Sequence, residues 1–274
     1  MTLKPGLYCV ATPIGNIKDI TLRALEILQA CDIIACEDTR VSMNLLTHYG
    51  ISTKLWSYHD HNAEHIRPQI LKAISNGQSV ALISDAGTPL ISDPGTKLVR
   101  ACHEAGQYVT TLPGASAVPS ALVLSGLMSH AFAFVGFFNA KNMQQWASFN
   151  GTLVFFESPR RVVETLELMK DSFHNRTVAV VREISKMFEE VQTGDFATVI
   201  EYYEQHPPKG EIVIVLSCTH ADDVISDQTI DDALTQALQT LSIKDAAHMV
   251  AEAYKLQKKE VYKRALNLKK NDEI

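Results

Sequence analysis

The sequence predicts an α/β protein: two successive α/β domains followed by a small helical module. Three observations predict it. Short apolar runs alternate with amphipathic stretches as far as Leu216, a Pro113-Gly114 turn restarts that alternation midway, and past Cys218 strand-type runs give way to helix-start patterns. The 274 residues with 46% hydrophobic content supply a substantial core and, at ~100 to 200 residues per domain, about two domains. The boundaries fall at 1–113, 114–222 and 223–274.

Taken in order, residues 7–11 read as a strand, 22–30 as a helix, 32–36 as a strand, 66–75 as a helix, 80–83 as a strand and 97–105 as a helix, a pattern that makes a mostly parallel sheet. After the turn come a helix at 118–127, strands at 132–137, 153–156, 178–181 and 212–216, and a helix at 162–170 among them. Thr229-Ile230-Asp231-Asp232 and Ser242-Ile243-Lys244-Asp245 each set a hydroxyl residue three places ahead of an acid, before an apolar-periodic run, so each predicts a helix start. Leu256-Gln257-Lys258-Lys259-Glu260 opens a third helix, completing a module of about fifty residues.

Composition excludes several classes. Five cysteines without a C-x-x-C pair argue against a disulfide framework and for a reducing compartment, the cytoplasm. Residues 105–140 contain no Asp, Glu, Lys or Arg, yet Pro113, Gly114, Pro119 and Gly126 interrupt them, so they read as core and loop rather than a membrane span. The amino terminus carries no signal-peptide pattern. A net charge of −6 is not that of a general nucleic-acid binder, but between 255 and 270 seven basic residues stand against Glu260 alone. Such a local basic face suits a polyanion, because phosphate attraction is set by nearby charge.

The most informative motif is a doublet, Ile83-Ser84-Asp85-Ala86-Gly87-Thr88-Pro89 followed by Ile91-Ser92-Asp93-Pro94-Gly95-Thr96, between a strand and a helix. Open sheets bind ligands at such strand ends, and the carboxylates, glycines and prolines exceed what a connection requires. Ala11-Thr12-Pro13-Ile14-Gly15-Asn16 follows the first strand and matches neither G-x-G-x-x-G nor G-x-x-x-x-G-K, which disfavours dinucleotides and nucleoside triphosphates and leaves a nucleoside without phosphates. Glu37-Asp38-Thr39-Arg40 ends the second strand as a charged rim or a helix cap. Pro113-Gly114-Ala115-Ser116-Ala117 aims helix-start amides at a carboxylate or other anion, or permits close packing. His59, His61 and His65, with Asp60 and Glu64, resemble metal ligands and keep a metal-dependent hydrolase open, though no partner run follows. A ligand-sensing DNA regulator reading with the helical module is the other rival.

Residues 7–16, 37–40, 58–62, 84–95 and 113–117, with Glu157-Ser158-Pro159-Arg160-Arg161 and Pro208-Lys209-Gly210-Glu211, follow one another in an order that resembles the ribosomal RNA small subunit methyltransferase I family of the tetrapyrrole methylase fold superfamily. The resemblance spans nearly the whole chain. It implies a cytoplasmic homodimer that moves a methyl group from S-adenosylmethionine to the ribose 2'-oxygen of a cytidine in the 16S rRNA decoding centre, within the small ribosomal subunit, with no membrane and no DNA involved. It carries Pro13 and Gly15, the turn with Asp85, Ala86, Gly87, Thr88, Pro89 and Ile91, then Ser116, Ala117 and Phe156 over as cofactor walls. Arg160, Arg161 and Lys141, with Lys258, Lys259, Lys263 and Arg264 of the tail, become the expected RNA contacts. Two departures stand out: between 139 and 150, where relatives carry several basic residues, only Lys141 remains, and Gln257 stands where Ser is usual.

Transfer from a sulfonium requires the acceptor oxygen in line with the methyl, and no metal. A ribose hydroxyl is a weak nucleophile, so a nearby carboxylate or neutral amine would take its proton. Asp38, Glu183 and Lys186 are the candidates, with Arg40 or Arg182 to orient the RNA backbone.

Overall fold

The computed structural model describes residues 2–218, 227–239, 241–253 and 258–271. The chain divides into two compact units at Ser217/Cys218. In the first unit the elements run β1 (Gly6–Val10), α1 (Leu22–Ala30), β2 (Ile33–Cys36), α2 (Thr39–His48), β3 (Lys54–Ser57), α3 (Ala63–Ser75), β4 (Ser79–Ile83), α4 (Thr96–Glu104), β5 (Val109–Leu112) and α5 (Ala117–Ser125). They continue with β6 (Phe132–Phe137), α6 (Gln144–Ala147), β7 (Thr152–Glu157), α7 (Val162–Ser172), β8 (Val178–Arg182), β9 (Glu190–Gly194), α8 (Phe196–Gln205) and β10 (Ile212–Leu216).

These strands build two five-stranded sheets. The first, ordered β3-β2-β4-β1-β5, is parallel throughout, and β1, β2 and β4 are buried along their whole length, as helices on both faces require. The second, β6-β7-β10-β8-β9, is mixed: β6 and β7 run parallel, while β10 lies antiparallel between β7 and β8, and β9 pairs antiparallel with β8. That reversal brings the entry into β10 to the same rim as the exits of β7 and β8.

Apolar periodicity locates the helices well, because each buries one stripe on a sheet; α1, for example, buries Ala24, Ile27 and Leu28. Elements that the apolar pattern does not announce are β3, β5, β9, α2, α6 and α8. β3 and β9 are edge strands, half-buried and mixed in composition, and β5 carries two threonines at the other edge of its sheet. Edge strands need no continuous apolar run, which explains why they are quiet in the sequence. α2 is nucleated by Asp38, whose carboxylate accepts from the Arg40 backbone amide at 2.8 Å.

The second unit contains α9 (Asp227–Leu238), α10 (Ile243–Ala253) and α11 (Lys258–Asn271), packed around Leu234, Ala246, Val250, Val261 and Ala265. Ser242 caps α10 as expected: its Oγ accepts from the Asp245 amide at 3.2 Å and donates to the Asp245 carboxylate at 2.6 Å. The expectation at Thr229 is corrected, since α9 begins at Asp227 and Thr229 lies within its first turn. The start of the third helix at Leu256 and Gln257 lies outside the described residues. Among the described residues, no helix is long and apolar enough to cross a membrane.

Candidate active site

A cleft of about 410 Å³ lies within the first unit, walled by loops from both sheets. The first wall is assembled at the carboxyl ends of β1, β4 and β5, where a parallel sheet presents its loops. Thr12 and Gly87 form an antiparallel bridge, with the amide of each donating to the carbonyl of the other at 2.9 and 3.0 Å, and the Thr12 hydroxyl donates to Ser84 O at 3.1 Å. Thr88 Oγ1 donates to Ala115 O at 3.0 Å, tying the same turn to the approach of α5. Gly87 has φ 81° and Leu90 and Ser92 have φ 75° and 65°, so two non-glycine residues hold a left-handed conformation that the surrounding bonds must enforce.

The turn places Asp85, Ala86, Gly87, Thr88 and Ile91 on the cleft, together with Ser92 and Asp93. Ser116 and Ala117 join them from the start of α5, and Phe156 from the end of β7. Of the loop after β1 it is Ile14 that lines the cleft, between Pro13 and Gly15. Gly15 instead permits a close approach: a Cβ there would stand 2.5 Å from Ile184 O and 2.7 Å from Lys186 Cγ. Pro89 is buried beneath the turn.

The second wall consists of Phe137, Glu157, Ser158 and Pro159, then Ile184 and the entry to β10 at Gly210, Glu211, Ile212 and Val213. Glu157 has no exposed side-chain surface and is held by Arg161 at 2.7 Å, by Thr165 Oγ1 at 2.6 Å and by the Ser158 amide at 2.6 Å. Glu183, at φ 51°, accepts from Lys186 Nζ at 2.8 Å and from the Glu211 amide at 3.0 Å, and Lys186 also reaches Glu211 at 2.9 Å. Gly210 makes room for this carboxylate, since a Cβ there would lie 2.2 Å from Glu183 Oε1. Ser185 Oγ donates to Asp19 at 2.6 Å, which fastens the 183–189 loop to the first half.

Electrostatics separate the walls. Burial, then Asp85, push the Asp93 carboxyl upward, with Ser84 opposing, and burial followed by Asp85, Asp93 and Asp60 raises Glu37. On the other side, the hydrogen bond from Lys186 lowers Glu183 against the cost of burial. Burial opposes the charge on Lys186, but its bonds to Glu183 and Glu211 prevail and raise it, so it stays an ammonium.

The remaining sequence-derived residues fall in several places. Asp38 is lowered to about 2 by its bonds to the Arg40 side chain and amide, and its own amide donates to Asp85 at 3.1 Å. Arg40 is spent on that carboxylate at 2.6 Å, and Arg182 pairs with Glu190 at 3.1 Å. Arg160, Lys141 and Lys263 are exposed, whereas Arg161 is committed to Glu157 and Arg264 to Asp231 at 2.6 Å, joining α11 to α9. Lys258 is exposed and contacts His248 at 3.1 Å; the Lys259 side chain lies outside the described residues. His59 and His61 lie in the turn before α3 and His65 in its first turn; the Asn62 Oδ1 closes that turn by accepting from the His59 amide at 2.9 Å, and among the described residues no three His, Cys, Asp or Glu gather to hold a metal. Phe137, Asp93, Glu157 and Glu211 were missed as site residues. Glu157 and Glu211 sit inside motifs, but only the meeting of β7 and β10 reveals that they share a rim.

Comparison with known proteins gives this geometry a lineage. Residues 6–200 match the model of the Tetrapyrrole (Corrin/Porphyrin) Methylases, and residues 224–269 match the RsmI C-terminal HTH domain. The chain is 45% identical to the ribosomal RNA small subunit methyltransferase I of Mesorhizobium japonicum, across 97% of this chain and 93% of that one. The chain belongs to the ribosomal RNA small subunit methyltransferase I family. A second relative of that description, from Vibrio cholerae, is 42% identical across 94% of this chain and 93% of its own length. Among solved structures the uroporphyrin-III-C-methyltransferase from Thermus thermophilus superposes with a TM-score of 0.57 at 18% identity, covering 78% of this chain and 94% of that one, which shows the shared fold. As a member of the family the chain is an S-adenosylmethionine-dependent methyltransferase. The cleft fits such a donor: Ile14, Ile91, Phe156, Ile184 and Val213 offer apolar surface to an adenosine, while Asp85 and Asp93 offer negative charge to a cation.

Proposed function

We propose that the chain methylates the ribose 2'-oxygen of a cytidine in the 16S rRNA decoding centre, acting in the cytoplasm as a homodimer on the small ribosomal subunit. The single observation that carries this reading is the near-complete span of relatives named for small-subunit rRNA methylation. In this reading residues 1–113 and 114–222 are the two catalytic domains and 223–274 the RNA-facing module. The donor occupies the cleft between the Asp85 turn and the β7 and β10 rim, with Pro13 and Gly15 shaping the edge of its pocket. Bound donor supplies an electrophilic sulfonium methyl. The protein's part is to align the acceptor and receive one proton.

Glu211 suits the second task best, because it lines the cleft and stays largely exposed while Lys186 and Glu183 fix its backbone and carboxylate. As the 2'-oxygen forms its bond to the methyl carbon and the sulfur–methyl bond breaks, the hydroxyl proton passes to Glu211. Glu183 and Lys186 act as positioning residues, and Asp38 and Arg40 as the cap of α2. Arg160, Lys141, Lys258, Lys259 and Lys263 face RNA phosphates.

The experiment maps 2'-O-methylation along 16S rRNA from a strain lacking the gene. One decoding-centre mark disappears, and adding the purified enzyme and donor to the unmodified small subunit restores it; Glu211→Gln restores it about 100-fold more slowly while binding donor normally. An unchanged map would refute the acceptor.

A further inference from the structure

β6 is interrupted in a way its apolar composition does not require. Phe134 stands opposite Val154 of β7, Gly136 opposite Phe155 and Phe137 opposite Phe156, so the register skips at Val135. Gly136 carries the bulge at φ 87°, a conformation that side chains resist. Strict alternation from Phe134 would send Phe137 to the face of Val135, into the core beneath α7 and α8. The extra residue reverses the parity. Phe138 takes the core position, and Phe137 emerges on the cleft face beside Phe156, with ring centroids 5.7 Å apart and planes at 71°.

Exposing a phenyl ring on an edge strand has a cost, and Phe137 remains 58% exposed at the cleft mouth. Phe134 and Phe156 stand behind it with centroids 4.7 Å apart. Opposite, the atom nearest to a Cβ built on Gly136 is Ser92 Oγ at 4.0 Å, so the bulge faces the Asp85–Gly95 turn. Exposed Lys141 lies four residues beyond Phe137 and exposed Arg160 four beyond Phe156, so both follow the same ends of two parallel neighbouring strands. An exposed aromatic ring on a rim whose loops carry cations suits an unstacked base of a single-stranded nucleic acid.

We propose that Phe137 is the stacking platform for the acceptor nucleobase, a specificity-determining residue that the bulge at Val135–Gly136 aims across the cleft mouth. The inference rests on the proposed RNA acceptor. A small donor enters the cavity and meets its inner wall, whereas a base delivered from a polynucleotide arrives from outside and meets the rim first. Stacking the base there fixes the attached ribose, whose 2'-oxygen is then held toward the interior.

The test compares Phe137→Ala, Phe137→Leu, Phe137→Tyr and Phe137→Trp in the full-length enzyme, using small subunits from a strain lacking the gene as acceptor. Three quantities are read: donor Kd by calorimetry, kcat/KM for the subunit, and molecular mass in solution. Phe137→Ala and Phe137→Leu lower kcat/KM by roughly tenfold to a hundredfold, donor Kd stays within about twofold, and Tyr and Trp restore most of the loss. An equal loss of donor affinity in Phe137→Ala would make the ring part of the donor pocket and overturn the proposal. Full activity in Phe137→Leu, or a loss that follows a change in molecular mass, would overturn it as well, leaving simple packing or a subunit contact. Absence of transfer by the wild-type enzyme would instead sink the acceptor assignment itself, and this inference with it.

Discussion

The two walls of the cleft are built from sheets of equal strand number yet present opposite electrostatic faces. The wall of the parallel sheet offers Asp85 and Asp93, and among the described residues neither carboxylate forms an ion pair with a cation. The wall of the mixed sheet also carries acids, but Glu157 is matched by Arg161, and Glu183 and Glu211 share Lys186. One wall therefore holds a negative field without a paired cation, while the other commits Glu157 and Glu183 to holding loops in place and leaves Glu211 largely exposed on the cleft. The difference teaches why acidic residues of similar motif density have unlike roles: a carboxylate without a paired cation favours a positive ligand, and a buried, paired one such as Glu157 or Glu183 positions a turn.

Arg161→Ala tests this contrast with the largest effect. It leaves the Glu157 carboxylate buried with only Thr165 and the Ser158 amide, and costs about 2 kcal/mol of stability in denaturant unfolding, less than a fully buried pair because the arginine is half exposed. Arg160→Ala, one residue earlier and exposed, leaves stability within about 0.5 kcal/mol. Equal destabilisation by both would mean that Glu157 does not organise this rim.

Asp93→Asn breaks the opposite wall and weakens donor binding about tenfold, the loss of one partly solvated charge–charge attraction of about 1.4 kcal/mol. The sign of the pH dependence follows from its raised carboxyl. A cationic donor favours the ionised form, so affinity is complete above that raised value, falls as the pH drops through it, and binding near it releases protons. Calorimetry in buffers of different ionisation enthalpy reads that release. The substitution removes most of it. Persistence of the full pH dependence would assign the effect elsewhere.

The smallest effect belongs to the helical unit. Arg264→Ala unties α11 from α9 and lowers stability by about 1 kcal/mol, because the pair is partly exposed and its geometry is good. Lys263→Ala, on the exposed side of α11, leaves thermal unfolding unchanged. A larger loss of rRNA methylation in Lys263→Ala than in Arg264→Ala supports the division between RNA-facing and structural basic residues.

Much of this molecule was determined by the sequence alone. Alternating apolar runs specify two α/β sheets, since each buried strand and each amphipathic helix must hide its apolar surface against the other. The doublet from Ile83 to Thr96 marks the turn that lines the cleft, because Gly and Asp at strand ends satisfy backbone angles and charge that few other residues can. Tertiary structure alone decided the rest. The antiparallel return of β10 sets Glu211 beside Glu183, Gly15 leaves room for Lys186 to reach them, and the one-residue bulge in β6 turns Phe137 from core to cleft. These are relations between residues distant in the chain, or reversals of parity within a strand. No periodicity encodes them, because periodicity records which residues are buried and not which buried elements lie side by side.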